Sequence, residues 1–140
     1  MNSLALESYI RKMNLNASVC ALNEMTFSNT PMIVNTEPSH MPGRHWIVVD
    51  VANSELFDSI ANINVMIESF EPFMLRYNDT YMYNVFRVQD THSSSCGLYC
   101  LYYLMYRKNN TFQQTIRHFM TRTPECNHNF LLSYFLNTII

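Results

Sequence analysis

The stretch Ser93-Ser94-Ser95-Cys96-Gly97-Leu98-Tyr99-Cys100-Leu101-Tyr102-Tyr103-Leu104-Met105-Tyr106-Arg107 changes character at Cys96. A loop of small polar residues precedes it, and from there to Arg107 the chain is apolar all round. A helix that is apolar on every side is a buried one, so residues 96–107 are expected to form a central helix. Working outward, Leu6, Tyr9, Ile10 and Met13 recur at helical spacing, which makes 4–14 an amphipathic helix with Ser3 as its N-cap. Residues 18–22 and 32–36 read as short strands, and Pro38, Pro42 and Gly43 as a loop. His45-Trp46-Ile47-Val48-Val49-Asp50-Val51 is the most strand-like run, joined through Ala52-Asn53 to a second strand over 54–58. Asn62 caps a helix through about Phe70 that Pro72 disturbs, and Met82 to Val88 is another strand. Thr111-x-x-Gln114 is a capping box for a helix through Phe119, and a last helix covers about 129–138. The expected fold is α+β, a small central mixed β-sheet flanked by helices, in a single domain over residues 1–140.

Composition narrows the function classes. The 140 residues carry 9 Lys+Arg against 11 Asp+Glu, a net charge of -2, with 48% apolar and 14% aromatic residues. That excludes a disordered chain and argues against a basic nucleic-acid surface. No apolar run reaches the ~18 residues of a membrane span, and the first residues lack the pattern of a secretion signal, so a soluble intracellular domain is expected. The scattered Cys20, Cys96, Cys100 and Cys126 suit free thiols in a reducing compartment. Cys126-Asn127-His128 has no visible second half, so no metal site is expected. Only two glycines occur, Gly43 and Gly97, where average usage would give about ten. They flank His45 and Cys96, and they mark places where no side chain fits.

Cys96 stands at the first turn of the central helix, where the helix dipole and free N–H groups favour a thiolate. Gly97 would let a substrate backbone approach the sulfur, and the Cys96 N–H can meet an oxyanion. The plainer reading is a buried packing thiol. His45 at the start of its strand likewise reads as a satisfied core histidine or as a base. The hairpin separates these readings. If Ala52-Asn53 is its turn, Ile47 pairs with Asp58, and residues two apart along a strand share a face. Asp58 is then diagonal to His45 on one face, while Asp50 and Glu55 pair on the other. Any even loop length keeps this parity. A cysteine peptidase needs a thiol, a base, an anion that orients the base and an oxyanion donor. Cys96, His45 and Asp58 fill the first three places. Gln89, seven residues before Cys96, can return its side-chain amide to the fourth. Trp46, directly after the base, can wall a narrow channel over the scissile bond.

The order His45, Asp58, Gln89, Cys96-Gly97 resembles the adenain family of viral maturation proteases, and more distantly the SUMO-specific proteases of the same clan. The matching stretches are Ile33-Val34-Asn35-Thr36, Gly43-x-His45-Trp46, Leu56-Phe57-Asp58-Ser59 and Gln89-x6-Cys96-Gly97-Leu98-Tyr99-Cys100, within residues 4–120. The resemblance implies a cysteine-peptidase fold with Cys96 as nucleophile, His45 as base, Asp58 as orienting acid and Gln89 as oxyanion donor. It also implies that Asn35, Trp46 and Gly97 meet the substrate, and that cleavage falls next to glycine. The substrates it implies are structural precursor proteins of a DNA virus or virus-like element. The place of action would be the host nucleus or cytoplasm, with the enzyme packaged in the virion. The adenain enzymes carry Glu where Asp58 stands; the aspartate is a swap that the SUMO-specific proteases also make. The adenain enzymes also use DNA and a disulfide-linked viral peptide as cofactors. Here the matching region, Asn78 to Tyr83, holds no cysteine, and the net charge is -2. No cofactor is therefore expected, DNA is not expected to bind strongly, and an activating peptide would bind non-covalently by adding a strand. A monomer is expected. Two other functions fit the same residues: an isopeptidase acting on a ubiquitin-like modifier, and an inactive pseudoprotease serving as a virion structural or adaptor protein.

Overall fold

A computed structural model describes residues 1–41, 45–90 and 93–138. The expected loop residues Pro42 and Gly43 lie outside them. Strands β1 (Ser18–Ala21), β2 (Met32–Asn35), β3 (Trp46–Asp50), β4 (Glu55–Phe57) and β5 (Met82–Tyr83) form one five-stranded sheet in the order β1-β2-β3-β4-β5. The two outer pairs, β1–β2 and β4–β5, are parallel, and the inner pairs are antiparallel. Helices α1 (Ser3–Lys12), α4 (Cys96–Arg107), α5 (Phe112–Met120) and α6 (Pro124–Thr138) accompany it, with α2 (Ile63–Val65) and α3 (Glu71–Tyr77) between β4 and β5. The fold is α+β with a mixed sheet flanked by helices.

Alternation along the strands explains the two layers. Ile33, Trp46, Val48 and Phe57 share a core cluster with α1, α4, α5 and α6. Met32, Val34, Ile47, Val49 and Leu56 face the other way, onto Met66, Phe70, Phe73 and Met74 of the α2–α3 region. Every residue of β3 is buried, so its continuous apolar run is that of a strand covered on both faces. In α4 nine residues, Cys96 through Leu104, are buried, as its all-round apolar sequence predicts. Phe57 stacks on Tyr103 with ring centroids 4.5 Å apart, which seats α4 on the sheet.

Several elements differ from expectation. Asn2, not Ser3, caps α1: its Oδ1 accepts from the Ala5 N–H at 2.9 Å. Pro72 does not end the helix that Asn62 caps. A π-turn over Met66–Phe70 precedes it, and the Glu71 N–H donates to the Met66 carbonyl. The wider turn absorbs the N–H that Pro72 lacks, and the chain stays helical to Tyr77. The strand expected over 82–88 stops at Tyr83, because the Asn84 side chain takes the place of further backbone pairing (below) and Val85 and Phe86 turn out to solvent. The last helix begins at Pro124 rather than 129. Thr123 Oγ1 accepts from the Cys126 N–H, and proline suits a first helical position. The hairpin loop has four residues, Val51 to Ser54, closed by Ser54 at φ 60°. Four is also even, so the register is Val48↔Phe57, Val49↔Leu56 and Asp50↔Glu55, with the expected parity.

Candidate active site

His45 lies just before β3 and Asp58 just after β4, so the hairpin carries both. His45 Nε2 and Asp58 Oδ1 are 2.6 Å apart. Asp58 is fully buried. Its carboxylate also accepts the backbone N–H groups of Ile60 (to Oδ1) and Asn62 (to Oδ2), both at 2.9 Å. Three donors thus hold one carboxylate in a single orientation. Asp50 is engaged elsewhere: it accepts from the Asn53 backbone and side chain and so closes the turn.

The second side of the imidazole meets Cys96, at the first position of α4. With Nε2 on the carboxylate, Nδ1 is the nitrogen left for the sulfur. Burial alone would push the Cys96 thiol up. Its hydrogen bond to His45 and the charge there, then backbone hydrogen bonds from Trp46 and Gly97, outweigh burial and hold the thiol below its ordinary value. Burial alone would likewise push His45 down, but hydrogen bonds to Asp58 and Cys96, together with their charges, raise it to about 9. The two shifts run in opposite directions, and both favour a thiolate–imidazolium pair. Cys100 and Cys20 are shifted the opposite way. Cys100 is fully buried, donates to the Trp46 carbonyl at 3.4 Å and is raised well above the ordinary value by burial. Cys20 is pushed up to about 11 by burial and by Glu24.

Gln89 is buried and its amide is held at both ends. Oε1 accepts from Ser59 Oγ at 2.5 Å, and Nε2 donates to the Ser93 carbonyl at 3.0 Å and contacts Ser93 Oγ at 3.2 Å. Its amide nitrogen therefore rests on Ser93, in the loop that leads into α4. Trp46 and Asn35 are neighbours across β2 and β3. Both line a groove of about 660 Å³ that also reaches Cys96, Ser94 and Met1. Trp46 Nε1 donates to the Met1 carbonyl at 2.9 Å. Asn35 Oδ1 accepts from the Glu37 N–H, shaping the turn after β2. Gly97 differs from expectation. A Cβ there would meet Met1 Sδ at 3.1 Å and Leu6 Cδ2 at 3.2 Å, so the space it leaves is filled by the N-terminal segment and α1 rather than open to a substrate.

The structure adds residues that the sequence reading passed over. Asn84, buried, accepts the Asp58 N–H at 2.9 Å and donates to the Asp58 carbonyl at 2.6 Å, as a neighbouring strand would. Asn127 donates to the Val88 and Phe119 carbonyls, tying α6 to α5 and to the residue before Gln89. A single asparagine carries no such signal in a chain that has sixteen. Among the described residues, no three His, Cys, Asp or Glu side chains gather as a metal set, and no helix is long and apolar enough to cross a membrane. Comparisons with protein-family models and with curated proteins found no match.

Proposed function

We propose that the chain is a cysteine endopeptidase of the adenain-like kind, cleaving next to glycine in structural precursor proteins of a DNA virus or virus-like element. The observation that carries the reading is the Cys96–His45–Asp58 chain of contacts at a helix N-terminus, with its lowered thiol and raised imidazole. The groove beside it, walled by Trp46 and open along Asn35, gives an extended peptide a path to the sulfur. The family, the substrates and the viral setting rest on the resemblance of the motifs.

In the first step the Cys96 thiolate attacks the carbonyl carbon of the scissile peptide. A C–S bond forms, and the carbonyl π pair moves onto oxygen. The Cys96 N–H and Gln89 Nε2 would receive that charge. When the tetrahedral intermediate collapses, the C–N bond breaks and His45 gives its proton to the leaving amine. Neutral His45 then takes a proton from water, and the hydroxide hydrolyses the thioester to regenerate thiolate and imidazolium. Asp58 keeps the imidazole in register throughout. No cofactor is assigned a part in these steps. An activating peptide, if one is used, would bind without a disulfide.

The test is hydrolysis of a library of glycine-containing peptides by the wild type and by Cys96→Ala and His45→Ala. Both variants should lose several orders of magnitude in kcat/KM while keeping their fold by circular dichroism. Cleavage that survives either substitution would rule the reading out, and so would a preference for a large side chain directly before the cut.

A further inference from the structure

We propose that Ser59 is a positioning residue for the oxyanion donor, fixing which end of the Gln89 amide faces the nucleophile loop; this rests on the peptidase reading above. Two neighbouring residues then serve the two halves of the site: Asp58 orients the base and Ser59 orients the donor.

The chemistry of the partners determines the orientation. The Ser93 carbonyl can only accept, so the end of the Gln89 amide that faces it at 3.0 Å is Nε2. Oε1 is therefore the end that meets Ser59 Oγ at 2.5 Å, and the Ser59 hydroxyl must donate. Both side chains are about 1% exposed, so water does not compete for either bond. The Ser59 main chain grips the same residue, since its carbonyl accepts the N–H groups of Val88 and Gln89 at 2.9 and 3.0 Å. Ser59 thus holds Gln89 by backbone and side chain together. The dipeptide itself is pinned by Asn84 on both backbone groups of Asp58. Without the hydroxyl, Oε1 would be a buried acceptor with no donor, and only the contacts to Ser93 would oppose rotation of the amide away from the orientation that presents Nε2. Of the two Nε2 protons, one is committed to the Ser93 carbonyl. The other rests on Ser93 Oγ at 3.2 Å, the longer contact, and is the one a substrate oxyanion can take over.

The experiment has two parts. In a double-mutant cycle, Ser59→Ala should lower kcat for peptide cleavage about 10–100-fold, no more than the roughly 100–1,000-fold lost with a whole oxyanion donor, with KM little changed. Gln89→Ala should cost at least as much, and the double variant should be no slower than Gln89→Ala alone. The alkylation rate of Cys96 and its pH dependence should stay as in the wild type, because the His45–Asp58 contact is untouched; general damage to the fold would move them. Effects that multiply, or a Ser59→Ala enzyme as fast as wild type, would overturn the proposal. The second part needs no cleavage and no variant. In the wild type, NMR should show the Ser59 hydroxyl proton in slow exchange with an Overhauser contact to Gln89, and its absence would also overturn the proposal. A chain that shows this proton but cleaves no peptide would sink the peptidase reading and leave the positioning standing.

Discussion

At the scale of the residue, the site turns on which of two aspartates meets His45. Asp58 and Asp50 both lie on the hairpin, and only Asp58 has a face in common with the imidazole. Asp58→Ala should therefore reduce kcat far more than Asp50→Ala, whose loss only loosens the turn at Asn53. Stopped assays of both variants under saturating peptide decide this, and equal effects would contradict the register argument. The pH profile follows with a definite sign. The ion pair needs Cys96 ionised and His45 protonated, so activity is held until pH rises through the raised His45 value of about 9 and is lost above it. Asp58→Asn removes a charge that raises His45, so the alkaline limb should move to lower pH. Movement upward, or none, would contradict the assignment. The His45–Asp58 pairing was legible in the sequence because strand parity depends only on an even loop, although the loop has four residues rather than two. The roles of Ser59, Ser93 and Asn84 were not legible. Each is a short polar residue whose meaning comes from a partner that is close in space but not adjacent in sequence: 30 positions away for Ser59 and Gln89, and 26 for Asn84 and Asp58.

At the scale of the element, local rules located most helices and strands, and long-range contacts moved their ends. The capping box at Thr111 formed as its spacing predicts, with Thr111 Oγ1 and Gln114 Oε1 each accepting the other residue's N–H. The end of β5 was set instead by the Asn84 side chain, and the passage through Pro72 by a π-turn. Neither leaves a periodic trace. The hairpin and α4 are also locked together on the far side from the His45–Asp58 pair. Glu55, buried in β4, accepts from Tyr103 Oη at 3.1 Å and from Arg107 Nε and Nη2 at 3.0 and 2.9 Å. Replacing Arg107 by Ala leaves a buried carboxylate with the Tyr103 hydroxyl as its remaining partner among these. The expected cost is roughly 3 kcal/mol, the low end for breaking a buried pair because the guanidinium is partly exposed. Urea unfolding measures it. A loss below about 0.5 kcal/mol, as for surface ion pairs, would show that this contact does not hold α4 to the sheet.

At the scale of the whole molecule, the sheet and α4 bring together residues from three separated parts of the chain, and the central claim is that the resulting Cys96 is a poised nucleophile. The most direct test is labelling with a glycine-ended, thiol-reactive peptide probe, followed by intact mass and peptide mapping, over a range of pH. The account predicts one equivalent of label, located on Cys96. The rate should rise at lower pH than it does for an ordinary thiol of pKa about 8.5, and it should collapse in His45→Ala. Label on the exposed Cys126 in place of Cys96, or a Cys96 rate that rises only as pH approaches the ordinary thiol value, would contradict it.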